Sequence, residues 1–207
     1  MLTAFEALAR LQEGNRRFVA NQTTSEPIDR ATRAALAAGQ EPFAVILGCS
    51  DSRVPAELVF DQGFGDLFVI RVAGNIVAPS QVGSVEFAAS RFGTRLVVVL
   101  GHSGCGAIVA TLEEMTGRAT SQSRNLRSIV DRVRPSVETL LSALGDRDPE
   151  SLIGDAVRAN VRASVNHLRH GSALLEQLSR TAGLKVIGAE YSLDTGVVTF
   201  LDSAADD

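Results

Sequence analysis

The chain has 207 residues, 45% hydrophobic and 21% charged, which suits one well-cored globular domain. With 20 basic against 24 acidic residues the net charge is −4, and no basic cluster offers the footprint of a nucleic-acid or anionic-membrane partner. No apolar run approaches the roughly 20 residues that cross a bilayer, and Glu6 and Arg10 interrupt the stretch where a secretory signal needs an apolar core, so a cytoplasmic protein is expected.

Thr3 and Glu6 form a capping-box pattern ahead of Phe5, Leu8, Leu11 and Phe18, which predicts an opening helix. A second helix over 29–38 stops at Gly39, and these first residues, about 1–40, read as a helical arm on a single domain spanning 1–207. The apolar runs 43–47, 67–72 and 95–100 are too short for helices and read as buried strands. Between the last two, Ser80 as N-cap, Val82, Val85 and Phe87 as apolar positions and Gly93 as a stop predict a helix. Further helices are expected over 103–115, over 125–144 as one or two with a start or kink at Pro135, and over 149–181 with a break at Gly171. Runs 184–191 and 197–201 flank Asp194-Thr195-Gly196 as a closing hairpin, and the acidic residues 204–207 read as a frayed tail. Strands separated by helices argue for parallel βαβ units. The fold class expected is therefore α/β, with about four parallel strands, an antiparallel edge strand and flanking helices.

Two cysteines are present, Cys49 and Cys105, and each opens a loop just after an apolar run. In a reducing compartment such cysteines serve more often as ligands, catalytic groups or core thiols than as a disulfide. His102 lies three residues before Cys105 at a strand-to-helix turn, close enough to share one ion, and Cys49 supplies a distant third ligand. Sites in open parallel sheets form beyond the carboxyl ends of the strands, which is where both loops fall. Two thiolates and one imidazole suit zinc, one per chain, and leave a fourth tetrahedral position open, as catalytic zinc sites do.

Cys49-Ser50-Asp51-Ser52-Arg53, followed by His102-Ser103-Gly104-Cys105, resembles the β-class carbonic anhydrases, and the resemblance extends through Asp61-Gln62-Gly63, Arg71 and Asn75. It implies a lyase that hydrates carbon dioxide reversibly to bicarbonate and a proton, built as a homodimer or a multiple of dimers. Hydroxide held on the zinc is the implied nucleophile; Asp51 orients it and Arg53 holds Asp51, with Asp51 a fourth ligand in a closed state favoured at low pH. The resemblance also places Phe68, Ala73 and Phe87 along an apolar slot for carbon dioxide, and Gln40 and the N–H of Gly106 against bicarbonate. Some bacterial relatives add a regulatory bicarbonate site built from a tryptophan, an arginine and a tyrosine. Arg71 and Tyr191 stand at matching positions here, but the tryptophan position is Ile46, which has no donor, so that site is not expected.

Two other functions fit the same residues. Hydrolysis of carbon disulfide or carbonyl sulfide needs the same nucleophile, and steady-state rates on the three gases separate them. A non-catalytic zinc-binding regulatory protein needs no carboxylate beside an open position, so the Asp51 and Arg53 pair speaks against it. His167 and His170, three apart on a predicted helix, have no acidic or thiol neighbour and read as solvent-facing, with a proton relay as the other reading.

Overall fold

The apolar runs around Ile46 and Val98 become β1 (Ala44–Gly48) and β3 (Leu96–His102), two parallel strands buried on both faces. Such continuous burial is the pattern of a parallel sheet covered on both sides by helices. The computed structural model describes residues 2–24, 29–119, 123–143 and 149–201; the acidic tail at 204–207 lies outside them. The sheet order is β2-β1-β3-β4-β5, with β2 (Leu67–Arg71) and β4 (Lys185–Tyr191) parallel to their neighbours and β5 (Val198–Phe200) antiparallel to β4. This is the α/β arrangement expected, with four parallel strands and an antiparallel edge.

One face of the sheet carries α1 (Ala4–Val19) and the short α3 (Ala56–Val59), whose Ala7, Leu11 and Val59 bury against Ile46, Val98 and Leu100. The expected capping box is present: Thr3 accepts from the Glu6 N–H while the Glu6 carboxylate accepts from the Thr3 N–H. Asp61 is fully buried and takes the Arg17 guanidinium at 2.6 Å, which ties α1 to the turn after α3. The second helix, α2 (Arg30–Leu36), buries none of its residues.

The opposite face packs α4 (Pro79–Arg91), α7 (Pro149–His170) and α8 (Ala173–Ala182) through Val85, Val161, Val165 and Leu175. Beyond the carboxyl end of the strands, α5 (Gly106–Met115), α6 (Arg124–Ala143) and α7 enclose a third apolar cluster that includes Cys49 and Cys105. The chain from Arg124 to Ala143 is one helix that runs through Pro135, and the break at Gly171 separates α7 from α8.

Three local expectations are corrected. The N-cap of α4 is Ala78, with Pro79 in the first turn; Ser80 makes no cap and its hydroxyl meets Gln81. Strand β3 continues to His102, because β4 pairs with it as far as Tyr191, and the following helix starts at Gly106 instead of 103. The helix α3 was not foreseen; at four residues it is too short to show a period.

Helix α7 approaches the sheet closely because two strand residues lack side chains. A Cβ on Gly101 would lie 2.6 Å from Val161 Cγ2, and one on Gly188 2.8 Å from Val161 Cγ1. A contact under 3 Å has to be relieved by moving the helix that backs His102. Gly101→Ala is therefore expected to lose about 1–3 kcal/mol in urea unfolding. Gly39→Ala, where nothing stands within 4 Å of the new methyl, should stay within about 0.5 kcal/mol. Equal stabilities would contradict the close packing.

Candidate metal centre

Strands β1 and β3 are neighbours, with Gly48 opposite Leu100, so the chain leaves both at one edge of the sheet. Cys49 is the first residue after β1, His102 is the last of β3, and Cys105 sits in extended backbone as the N-cap of α5. All three are buried, and their ligand atoms lie within 4.8 Å of one another. The sulfurs of Cys49 and Cys105 are 3.9 Å apart.

The imidazole is oriented by its other nitrogen. Nδ1 of His102 is 3.0 Å from the Ser103 carbonyl, an acceptor only, so Nδ1 carries the proton and donates it. That leaves the lone pair on Nε2, which is buried and has no hydrogen-bond partner among the described residues. A desolvated acceptor without a partner is costly, and a metal ion satisfies it. Two sulfurs and one imidazole are the donors of a zinc site, whereas magnesium and calcium require oxygen.

Asp51 stands beside this cluster. Its carboxylate accepts from Arg53 Nε at 2.9 Å and Nη2 at 2.8 Å, a bidentate pair, and from the Arg53 N–H at 3.0 Å. Oδ2 also lies 3.8 Å from His102 Nε2. The carboxylate thus lies beside the His102 donor while Arg53 holds it, the open arrangement of the two described above.

The thiols and the imidazole set one another's charge. A hydrogen bond from the Cys105 thiol lowers the pKa of Cys49, and the same contact together with burial raises that of Cys105. Burial disfavours the His102 imidazolium, but the neighbouring charges of Cys49 and Asp51 and the Ser103 carbonyl outweigh it and raise the pKa. The Arg53 guanidinium holds the Asp51 carboxyl well below the usual carboxylate range, so this group is ionised at any working pH.

A second layer supports the donors. Cys49 Sγ accepts the N–H groups of Asp51 and Gly74, each at 3.4 Å. Gly74 lies in the turn Ala73–Asn75 with φ of 71°, and a Cβ there would come 3.0 Å from Ala107 Cβ. Helix α7 pins that turn, as Asn160 Nδ2 donates to the Gly74 carbonyl at 2.8 Å and Ser164 Oγ to the Asn75 carbonyl at 3.1 Å. Arg71 donates from Nε to the Cys49 carbonyl at 2.9 Å and from Nη2 to the Asp51 carbonyl. Sequence reasoning did not find the work of Asn160 and Ser164. Their signal was two small polar residues, four apart, in the otherwise apolar stripe of Val157, Val161, Val165 and Leu168.

The residues expected to touch substrate fall into two groups. Ala73 borders the Gly74 turn and Gly106 opens α5, both next to the donors. Gln40 precedes β1 while Cys49 follows it, so one chain holds them at opposite ends of that strand. Phe68 pairs with Val45, four residues or ~13 Å short of Cys49 at the usual strand rise. It packs with tilted rings against Phe87 and Phe92, ring centres 6.2 and 6.0 Å away.

Comparison with known proteins agrees with this geometry. The family profile described as "Carbonic anhydrase" matches residues 44–198. Carbonic anhydrase 2 of Mycobacterium tuberculosis is 41% identical over 194 residues, covering 93% of this chain and 90% of that protein. The chain belongs to the β-carbonic anhydrase family. Its activity is the zinc-dependent, reversible hydration of carbon dioxide to bicarbonate. Among solved structures, the β-carbonic anhydrase CafA of Aspergillus fumigatus superposes with a TM-score of 0.76 at 25% identity, covering 98% of this chain and 92% of that one. A β-carbonic anhydrase from Sordaria macrospora, described as tetrameric, shares the fold with a TM-score of 0.73 at 23% identity, covering 96% of this chain and 97% of that one. No helix among the described residues is long and apolar enough to cross a membrane.

The charge pattern predicts a proton cost for metal uptake. Cys49, with its lowered pKa, enters as thiolate, whereas Cys105, with its raised pKa, must give up a proton at neutral pH, and His102 must give up another below its own raised pKa. Zinc affinity should therefore rise with pH, about tenfold per unit for each proton displaced. Competition with a chromophoric chelator from about pH 6 to 8 measures it. An affinity independent of pH would contradict this donor set, as would full zinc content in folded Cys49→Ser or His102→Ala.

Proposed function

We propose that Cys49, His102 and Cys105 hold one zinc per chain, and that Asp51, positioned by Arg53, orients the nucleophile that attacks carbon dioxide. The observation that carries this reading is the bidentate contact of Arg53 with a carboxylate that borders a buried two-cysteine, one-histidine donor set. When bound, the zinc lowers the pKa of a coordinated water and so supplies hydroxide near neutral pH.

Asp51 is ionised, and Oδ2, which takes one hydrogen bond from Arg53 where Oδ1 takes two, keeps a lone pair. It could accept a hydrogen bond from the attacking oxygen, which would turn that oxygen's lone pair toward carbon. Arg53 is a positioning residue, since both of its side-chain hydrogen bonds go to Asp51 and neither to a metal donor. The Nδ1–H of His102, tied to the Ser103 carbonyl, keeps the ring from rotating. Carbon dioxide is small and uncharged, so an apolar wall such as Ala73 serves it better than a charged clamp. The N–H of Gly106, at the start of a 10-residue helix, favours the anionic product.

Gln40, Phe68 and Phe87 stand away from the donors of their own chain, so a slot lined by them needs a second copy. The free edge of β2 and the exposed rings of Phe64 and Phe87, 65% and 53% accessible, support a homodimer or a multiple of dimers formed through that edge. We read the chain as a single domain over 1–207, with its first 40 or so residues as an arm, acting in the cytoplasm. Carbon disulfide and carbonyl sulfide remain competing substrates only in so far as they fit the same slot, and the relatives matched are named for the carbonic anhydrase activity.

Stopped-flow hydration of carbon dioxide at matched zinc content tests the reading. Arg53→Ala should keep its zinc and its circular dichroism spectrum and lose about 10–100-fold in kcat, the usual cost of removing a group that orients a metal-site residue. Full activity in that folded variant would remove the dyad from the mechanism.

A further inference from the structure

Strand pairing between β1 and β2 ends with Gly48 opposite Arg71, and the next rung, from the Val72 N–H to the Gly48 carbonyl, is 3.1 Å. Beyond it the chain turns at Ala73–Asn75, where the Gly74 N–H reaches the Cys49 sulfur, and neither the Cys49 nor the Asp51 carbonyl takes a backbone N–H from β2. The Arg71 side chain takes over there. Its Nε donates to the Cys49 carbonyl at 2.9 Å and its Nη2 to the Asp51 carbonyl, so one planar guanidinium spans two carbonyls two residues apart.

From this geometry we infer that Arg71 is a second positioning residue of the reaction, one that fixes the backbone of the Cys49 to Asp51 loop where Arg53 fixes only the Asp51 side chain. The inference rests on the proposed role of Asp51. Arg71 makes no recorded contact with the Asp51 carboxylate or with either sulfur, so it acts through the main chain. The two grips are complementary. Arg53 lies on the same loop as Asp51 and moves with it, whereas Arg71 belongs to the sheet and ties the loop to a rigid frame. A guanidinium fork is suited to this, because its donors have a fixed separation; a lysine ammonium is a single point and can hold one carbonyl at a time. Without Arg71 the loop keeps the Gly74 N–H on its sulfur and the Val54 N–H on the Asp51 carbonyl but loses its side-chain tie to the sheet, and the Asp51 carboxylate can leave the orientation that serves the attacking oxygen.

The test uses Arg71→Ala and Arg71→Lys in the full-length, metal-loaded protein, with metal content and circular dichroism checked for each. The cobalt(II) forms report the geometry at the metal by absorption independently of turnover. Arg71→Ala should keep its metal and secondary structure, alter the cobalt spectrum, and lose about tenfold in kcat with little change in KM, the scale of one lost charge-assisted hydrogen bond. Millimolar guanidinium, far below denaturing levels, should restore part of that loss in Arg71→Ala and none in wild type. Arg71→Lys should fall between the two. A folded, loaded Arg71→Ala with wild-type kcat and an unchanged cobalt spectrum would overturn the inference. If the alanine variant does not fold, a lysine variant with wild-type kcat and spectrum would overturn it equally. Should the wild type fail to hydrate carbon dioxide, the proposed function falls, while the cobalt spectra still report whether Arg71 sets the loop.

Discussion

Everything at the site depends on the parallel pairing of β1 with β3. Parallel strands leave the sheet in the same direction, and this register, with Gly48 opposite Leu100, brings Cys49 and His102 out at nearly the same height. Neighbouring strands lie ~4.8 Å apart, the scale on which one ion can be shared. A slip of one residue would turn His102 to the other face of the sheet, and no side-chain adjustment would restore the cluster. The register is protected because β1 and β3 are buried on both faces, and a slip would exchange the side chains packed against α1 for those packed against α4, α7 and α8.

Burial at the carboxyl edge then decides the chemistry. Cys49 and Cys105 lie in an apolar cluster formed with α5, α6 and α7, with the buried His102 beside them, where unpaired charge is expensive. Protein groups alone settle this by keeping one thiol protonated, whereas zinc allows both sulfurs to ionise. The surrounding hydrogen bonds come from the backbone of the loops and from Asn160, Ser164 and Arg71, so the donors are aimed by groups that do not themselves meet the metal. Asp51, beside His102, is restrained likewise: its carboxylate by an arginine on its own loop and its carbonyl by another on the sheet.

Much of this was legible in the sequence, for physical reasons that differ from element to element. The strands around Ile46 and Val98 announced themselves because double burial demands unbroken apolar runs, and the position of Cys49 just past such a run already implied the sheet edge. The end of β3 was misjudged because Gly101 and His102 carry no apolar signal; their strand geometry comes from pairing with Glu190 and Tyr191, 89 residues away in the chain. Gly101 and Gly188 show the same limit, since their meaning is the approach of Val161 on another element. Asn160 and Ser164 were hidden for the opposite reason: a small polar residue in an apolar stripe says that it has a partner, not which one. The placement of Gln40 before β1, of Phe68 by register and of Phe87 against Phe68, all away from their own donors, is not visible in any motif.

The central claim is that a two-sulfur, one-imidazole zinc site keeps a fourth position open for reaction. Zinc K-edge X-ray absorption on the zinc-loaded protein at mildly alkaline pH measures this directly. Two sulfur, one nitrogen and one oxygen neighbours are expected, the oxygen unchanged in Asp51→Asn because it comes from solvent. A shell that lacks two sulfurs, or whose oxygen disappears or shifts with Asp51, would contradict the account.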